Sequence, residues 1–430
     1  MCFRVSSLIV FLFAAELAFP QSVAPTTAGQ PSIQELLERI EQLERRVSEL
    51  EHNQGSKIMA AQPSSAGQQA AATPIAHSSA PAVSSIHDQM MGTTATVQEA
   101  EVHYPNLQIR GFGDVDFSGT DQKGSISGFN LGQFVLHFAS ALSNKVNYFG
   151  EVSFTAQPTN YELAVERTII RYDFNDYFKV SFGKYHTPIG YWNTAFHHGA
   201  WLQTSISRPE MVKFGGTLIP IHFLGAQVEG NIPSGGLGLG YSLGLGNGRG
   251  SPFSKAGDSG DVNNNRAWVA NVFARPARLY GLQVGGSFYK DKLSTAPGTY
   301  FDEWIAAGDV VWTKEHPEIL AEYANVHHRD LLTSQVFNTT SYYAQVGYRL
   351  PWQENKWKPY YRFEYIHRPT TEPIWDVSDI PSVVDLVGST VGVRYDITNY
   401  AAFKGEYRNF KHSVNEPNVN GAFFQTAFTF

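Results

Sequence analysis

The chain is 430 residues long, of which 42% are hydrophobic, 13% aromatic and 17% charged. This composition supplies ample apolar side chains for a large folded unit and carries too little charge for an intrinsically disordered chain. The net charge is -7, and the Lys and Arg residues are scattered without basic clusters, so nucleic acid is excluded as an expected partner.

Residues 1–24 have the pattern of a cleavable secretory signal peptide. Arg4 precedes an apolar run from Leu8 to Phe13, and small residues follow this run. The run is shorter than the roughly 20 residues that a membrane-spanning helix needs. Cleavage is expected near Ala24, and other sites between Ala18 and Ala28 stay open.

Residues 25–54 are predicted to form a short coiled-coil helix. Ser32 and Glu35 have the spacing of a capping box at a helix N-terminus. Apolar residues then recur at alternating steps of three and four, which defines a heptad seam: Ile33, Leu36, Ile40, Leu43, Val47 and Leu50. Self-association through this seam is the prediction. The alternative is a solitary amphipathic helix packed against the folded domain.

Residues 55–103 are predicted to be a flexible linker. They are rich in Ala, Ser, Gln, Thr and Pro and contain almost no aromatic residues. Such a segment cannot bury enough surface to offset the entropy lost on ordering. The folded domain is therefore expected over residues 104–430.

This domain has the pattern of an all-β structure. Segments of about nine to eleven residues alternate between apolar and small or polar residues. The clearest segment has apolar residues at alternate positions from Leu237 to Leu245, with Gly and Ser between them. The same period runs from Val391 to Asp396 and from Phe403 to Arg408. Alternation alone fits both a soluble sandwich with apolar side chains inside and a membrane barrel with apolar side chains outside.

Two features of the connections favour the membrane barrel. Compact turns near Ser143, Asp176, Pro276 and Asn399 alternate with longer polar segments, as in barrels with two unlike rims. Aromatic residues flank the compact turns at the positions of an interfacial girdle: Tyr172, Tyr177, Trp352, Trp357, Tyr395 and Tyr400. Without an apolar stretch long enough for a spanning helix after residue 104, a membrane domain has to be a closed barrel.

The chain ends in alternating apolar residues and a terminal aromatic, Phe430. This ending resembles the assembly signal of bacterial outer-membrane barrels, which closes with a phenylalanine. Turns and segments together predict an all-β, transmembrane antiparallel β-barrel of about 16 strands, preceded by the short N-terminal coiled-coil helix. Both ends would lie on the turn side, and about eight long loops would lie on the other. The expected location is the bacterial outer membrane, with the N-terminal segment in the periplasm.

The run from Gly183 to Gly190, GKYHTPIG, resembles a strand end and loop start of the phosphate-selective porin family. In that family a Gly, a basic residue and a Thr-Pro-x-Gly run recur, and the likeness covers roughly residues 107–430. It implies a homotrimeric diffusion channel whose third outer loop folds into the lumen. The third long connection here, about residues 186–217, is the longest. Phosphate selectivity is not carried over, because the sequence lacks a dense basic set for an anion throat.

The number of subunits is predicted differently by the coiled coil and by the resemblance. β-Branched residues at a with Leu at d favour two strands, whereas the family implies three. The helix has fewer than about three heptads and is marginal alone, so the larger barrel interface should set the number. A homotrimer is the prediction.

The alternation turns a mainly basic set of side chains toward the lumen on the late strands. The predicted pore-lining residues are Arg110, Arg349, Arg362, Glu364, Arg394, Lys404, Glu406 and Arg408. The predicted constriction loop contributes His197, His198, Arg208, Glu210 and Lys213. The prediction is a passive pore for small hydrophilic solutes, with mild anion preference. The alternative is that these charges pair with one another and only keep a wide lumen wet.

Catalytic, cofactor-binding and metal-binding residues are not predicted. Adjacent side chains as in His197-His198 and His327-His328 rarely converge on one metal, and both pairs are expected in long polar loops. Cys2 would leave with the signal peptide, and no G-x-S-x-G motif is present. A channel is therefore predicted rather than an enzyme. Two other functions stay open: an envelope tether whose N-terminal segment contacts the cell wall or a partner, and a barrel enzyme acting on lipid or peptide.

Overall fold

The computed structural model describes residues 104–196, 199–214, 218–250, 253, 257–296, 298–376, 385–412 and 416–430. The predicted signal peptide, coiled coil and linker lie outside the described residues, as do His197 and His198. In the part of the chain that is described, no helix has the length and hydropathy needed to cross a membrane.

The described residues form sixteen β-strands that pair in chain order. The strands are β1 (Asn106–Thr120), β2 (Gly128–Ala141), β3 (Val146–Ala156), β4 (Tyr161–Asn175), β5 (Phe178–His186), β6 (His222–Ile232), β7 (Leu239–Asn247), β8 (Ala267–Ala274), β9 (Leu282–Ala296), β10 (Thr299–Trp312), β11 (Glu318–Asp330), β12 (Val336–Gly347), β13 (Trp357–His367), β14 (Leu386–Thr398), β15 (Ala401–Lys411) and β16 (Val419–Thr429). Each pairing is antiparallel, and β16 pairs with β1, which closes the sheet into a barrel. The predicted antiparallel barrel of about 16 strands is confirmed.

The apolar faces of the strands point outward. Leu243 and Leu245 of β7 are 48% and 57% exposed, whereas Ser242, which precedes them, is only 8% exposed. This inversion of the usual soluble pattern distinguishes a membrane barrel from a sandwich. One detail of the prediction is wrong. Leu237 belongs to a helical turn, Gly235–Leu237, because the chain must reverse direction there before β7 begins.

The two ends of the barrel carry different connections. The turn end holds both termini of the barrel and the connections 142–145, 176–177, 233–238, 275–281, 313–317, 348–356 and 399–400. The loop end holds loops 1 to 8, which are residues 121–127, 157–160, 187–221, 248–266, 297–298, 331–335, 368–385 and 412–418. The expectation of about eight long loops is wrong, since only loops 3, 4 and 7 are long. β9 and β10 keep pairing as far as Ala296 and Thr299, so the connection between them has only two residues.

The terminal phenylalanine closes the seam between the first and last strands. The backbone N–H of Phe430 donates to the carbonyl of Gly111 at 3.0 Å, and the N–H of Gly111 donates to the carbonyl of Phe430 at 2.9 Å. The ring of Phe430 faces outward and stacks on Phe134 of β2, with centroids 5.7 Å apart. The C-terminus is therefore built into the lipid-facing surface of the sheet.

Gly183 in β5 occupies a position that only glycine fits. Its φ is +152°, a region that L side chains rarely adopt. A Cβ at this position would lie 1.9 Å from the carbonyl oxygen of Thr168 on the neighbouring strand. Backbone on both sides of the contact fixes the distance, so the clash cannot be relieved by a side-chain rotation.

We expect Gly183→Ala to lower the free energy of unfolding by about 2–4 kcal/mol, because it adds both a steric clash and backbone strain. Thermal unfolding in detergent, followed by circular dichroism, measures this. Gly286→Ala in β9 is the matched control, since the nearest atom to its added Cβ is 3.9 Å away. Equal unfolding temperatures for the two variants would contradict the strain at Gly183.

Candidate functional site

Loop 3 folds into the barrel between β5 and β6. It contains one helical turn, α1 (Trp192–Ala195), and a 3-10 turn, Glu210–Val212. Its buried apolar side chains pack inside the barrel: Ile189, Trp192, Met211, Val212, Leu218 and Ile219. The loop spans residues 187–221, so it ends four residues beyond the expected boundary, where β6 begins.

Glu322 of β11 fixes the first part of loop 3 to the barrel wall. Its carboxylate accepts hydrogen bonds from the backbone N–H groups of Tyr191 at 3.0 Å and Trp192 at 2.7 Å. The hydroxyl of Tyr343 on β12 donates a third bond at 2.5 Å. A buried carboxylate is costly unless it is hydrogen-bonded, and these donors offset that cost. The same bonds satisfy amide groups that no helix partner can reach.

Two further carboxylates hold the middle of the loop. Glu406 of β15 accepts from the backbone N–H of Ile206 at 2.9 Å and from the N–H and hydroxyl of Ser207 at 3.3 and 2.7 Å. Glu364 of β13 accepts from the backbone N–H of Glu210 at 2.6 Å. Wall carboxylates on three strands therefore bind loop amides at successive points along the loop.

Three cations on β13, β14 and β15 bind the carbonyl groups of the same loop. They are Arg362, Arg394 and Lys404. Their bonds are 2.9, 2.6 and 2.8 Å long and reach the carbonyl oxygens of Ser207, Trp201 and Gln203, respectively. Charged donors form stronger hydrogen bonds than neutral ones, so each of these contacts contributes more than an ordinary loop bond.

Because of these contacts, the three cations do not face water as the sequence predicted. Arg362, Arg394 and Lys404 are 0%, 5% and 0% exposed, because loop 3 lies over them. Glu364 and Glu406 are buried beside them, at 2.8 Å from Arg362 and 2.5 Å from Arg408. These five side chains face inward, as predicted, but loop 3 covers them, so they do not lie at an open surface of the lumen.

The other predicted wall residues lie in different surroundings. Arg349 is in the 348–356 turn rather than on a strand, and it pairs with Glu315 at 2.8 Å and Asp396 at 2.5 Å. Burial raises the pKa of the Glu315 carboxyl, but the charges of Lys358 and Arg349 outweigh it and hold that pKa below its ordinary value. Arg110 is exposed on the inward face of β1, near the turn end.

The predicted loop charges are engaged within loop 3 itself. Arg208 donates to the carbonyl of Val212 at 2.7 Å and lies over the ring of Phe214, 4.0 Å from its centroid. Lys213 pairs with Glu210 at 3.1 Å. These contacts give the loop a fixed local shape.

The outer end of the lumen holds a second buried charge network that the sequence did not reveal. His328 of β11 lies between Glu303 of β10, at 3.0 Å from Nε2, and Glu372 of loop 7, which contacts Nδ1. Both ring nitrogens can donate only when the imidazole is protonated. Arg249 of loop 4 binds Glu303 at 2.9 Å and the carbonyl of Leu218 in loop 3. Loops 3, 4 and 7 are thus joined at one point.

The two adjacent histidines of β11 have separate environments. His328 is buried in this network, whereas His327 faces outward and stacks on Trp304 at 4.0 Å. The expectation that this pair lies in a long loop is wrong, since β11 continues to Asp330. In the described ranges, no group of three or more His, Cys, Asp or Glu side chains is arranged to hold a metal ion.

A polar cavity of about 520 Å³ lies on the side of loop 3 that faces β4 to β9. Its charged lining residues are Arg167, Arg171, Asp176, Lys179, Glu229 and Arg275. Tyr191 and Thr194 of loop 3 form part of its roof, and Tyr185, Gln227 and Asn271 form part of its wall. The loop is therefore held to one wall, and the space remains beside the opposite wall.

The residues that fasten the loop were only partly predictable. Alternation over β11 places Glu322 on the same face as Glu318 and Leu320, so an inward carboxylate was readable from the sequence. Its partners at Tyr191 and Trp192 are about 130 residues away, and no local pattern links them. The same holds for Glu372 of loop 7.

The barrel is similar in fold to solved structures, although no protein-family model and no curated protein matches the sequence. An anion-selective porin from Comamonas acidovorans superposes with a TM-score of 0.57 and 10% identity, covering 76% of this chain and 100% of that one. The outer-membrane channel DcaP of Acinetobacter baumannii gives 0.53 and 13%, covering 76% and 97%. OmpF of Salmonella typhi, in complex with daunomycin, gives 0.52 and 11%, covering 76% and 98%. The described barrel therefore has the fold of outer-membrane porins.

We expect Glu322→Ala combined with Glu406→Ala to release loop 3 while the barrel stays folded. Each change leaves buried amides without an acceptor, at about 1–3 kcal/mol per group. Chymotrypsin should then cut after Trp192 or Trp201, which mass spectrometry of the fragments detects. Glu210→Ala is the control, because its carboxylate binds only Lys213 among the described residues. A double variant as resistant as the control would show that these carboxylates do not hold the loop.

Proposed function

We propose that this protein is a porin of the bacterial outer membrane, a passive water-filled pore for small hydrophilic solutes. The closed barrel with apolar side chains outside and polar side chains inside supports this function. The observation that carries it is the fastening of loop 3. Buried charges draw the loop to β11, β13, β14 and β15, and a polar cavity remains beside β4 to β9.

The arrangement favours a pore over a barrel enzyme. The buried carboxylates and cations of the lumen bind backbone groups of loop 3, and those of the outer network join loops 3, 4 and 7. Groups fixed in this way are structural, because their lone pairs and protons are already used. A solute path needs only a wet passage with a defined width, and a tethered loop provides one.

The rest of the chain is assigned by the same proposal. Residues 1–24 act as the signal peptide, residues 25–54 as the coiled coil, residues 55–103 as the linker and residues 104–430 as the barrel. The turn end faces the periplasm, where the N-terminal segment lies within reach of the cell wall. Three barrels associate, with the coiled coil adding to an interface that the barrels dominate.

Purified protein in planar lipid bilayers is expected to give large, persistent steps of ionic current. Because a trimer carries three pores, closure at high voltage should occur in three equal decrements. A protein that inserts and stays electrically silent would overturn the pore. Closure in two equal decrements, together with a dimer mass in detergent, would overturn the trimer and leave the pore standing.

We also propose a mild anion preference, set by the cavity instead of by the late strands. Four cationic side chains and two carboxylates line the described cavity. Arg167 and Arg171 are paired with Glu151 and Asp173 at 2.5 and 2.6 Å. Lys179, in β5, and Arg275, in the turn after β8, supply the other two cations of the lining. Fixed charge beside a narrow passage favours entry of the opposite ion.

We expect Lys179→Glu combined with Arg275→Glu to shift the permeability ratio toward cations by a factor on the order of two at 0.1 M KCl. The shift should shrink at 1 M, because the Debye length falls from about 10 Å to about 3 Å. Reversal potentials under a KCl gradient measure both effects. Arg278→Glu, on the same turn but outside the cavity, is the control. Cation preference of the unaltered protein at low salt would contradict the proposal.

A further inference from the structure

The outward face of the barrel carries an ordered polar band near the loop end of β8 to β12. The strand register places two rows of residues side by side across these strands. The lower row is Trp268, Lys290, Trp304, His327 and Asn338. The upper row, one outward position closer to the loops, is Lys292, Asp302, Arg329 and Val336. Inward neighbours such as Tyr289, Glu303 and His328 are buried, which confirms that the two rows face outward.

The lower row marks the boundary between the apolar belt and the polar surface. Toward the turn end, the outward residues Val272, Val284 and Val310 are 45%, 43% and 46% exposed, as expected for contact with acyl chains. Tryptophan is enriched at the membrane interface because its ring is amphipathic. Trp268 and Trp304 lie on the same outward faces, four residues from Val272 and six residues from Val310 toward the loop end. The upper row therefore lies at the level of lipid headgroups.

The cations of this band are not used by the protein. Lys290, Lys292 and Arg329 make no ion pair or side-chain hydrogen bond among the described residues. The one carboxylate among them is Asp302, which the register places between Lys292 and Arg329. Strands lie about 4.8 Å apart, so these two cations are about 10 Å apart on the surface. The band carries an excess of positive charge at headgroup level.

The band is local to this side of the barrel. At the loop end of β2 and β4, the large outward residues are apolar or aromatic, among them Phe129, Tyr161 and Leu163. Lys184 of β5 and Lys411 of β15 are single outward cations near the loop end, and Lys184 is paired with Asp258. The grouping of three cations on β9 and β11 therefore distinguishes this side of the barrel and points to a ligand with its own charge.

We propose that the basic rim patch, Lys290, Lys292 and Arg329, binds the phosphate groups of a phosphorylated, multiply acylated glycolipid in the outer leaflet. The acyl chains lie along the valine belt below the patch. The stacked rings of Trp304 and His327 form a flat surface at the level of the sugar. The three cations neutralise the phosphates, with the lysine stems running along apolar surface and their ammonium groups at headgroup depth.

The test uses the full-length protein in detergent with a bisphosphorylated lipid A as the probe and native mass spectrometry as the readout. In Lys290→Gln/Lys292→Gln/Arg329→Gln the retained lipid should fall at least tenfold. Lipid A stripped of its phosphates should bind the unaltered protein as weakly as the intact lipid binds the variant. Equal retention by variant and unaltered protein, or equal binding of the stripped lipid, would overturn the proposal.

Two controls separate glycolipid binding at this patch from a general charge effect and from binding of free phosphate. Lys123→Gln/Lys145→Gln/Lys314→Gln removes the same charge from exposed connections elsewhere and should bind like the unaltered protein; loss of binding here too would show a general charge effect and overturn the site. Inorganic phosphate should fail to compete, and effective competition would assign the patch to free phosphate instead. Single-channel conductance should be unchanged in the patch variant. A protein that binds the glycolipid but carries no current would overturn the pore and leave the patch supported.

Discussion

The structure depends on one constraint: a loop that enters the barrel must find hydrogen-bond partners for its backbone there. A loop on the outer surface uses water, whereas loop 3 lies where its amides and carbonyls are buried. Glu322 and Glu406 accept from its N–H groups, and Arg394 and Lys404 donate to its carbonyls. Carboxylates and cations on the same wall can satisfy both halves of the peptide group. The buried apolar side chains of the loop then complete the packing against that wall.

This constraint also limits what the wall charges can do for solutes. Arg362 is fully buried and shares its donors between Glu364 and loop 3. A cation that is paired in this way contributes little electric field to the lumen, because its charge is compensated by groups within hydrogen-bond distance. The proposed passage lies beside β4 to β9, where Lys179 and Arg275 line the cavity. In this proposal, the residues that hold the loop and the residues that bias ion entry lie on opposite walls.

The period of two along a strand allows β9 to β11 to combine two unrelated environments. Glu303 and His328 face inward and join loops 3, 4 and 7, while Trp304 and His327, their neighbours in sequence, face the membrane interface. Glu303 and His328 on the inside have charged partners. The cations on the outside have none among the described residues, and this difference is what suggests an external ligand.

The sequence alone determined the closed antiparallel barrel, the outward direction of its apolar faces and a terminal strand that ends at Phe430, because each of these follows from a period of two or from a local signal. It could not determine the loop lengths. The loop between β9 and β10, for example, is short because the two strands pair as far as Ala296 and Thr299, and local sequence does not show where pairing stops. It also could not determine that Arg394 and Lys404 lie beneath loop 3. Glu406 and Ser207 are 199 residues apart, and only closure of the barrel brings them together. Alternation gives the side of the sheet on which a charge lies; the partner it meets there is decided by the path of a distant segment through the lumen.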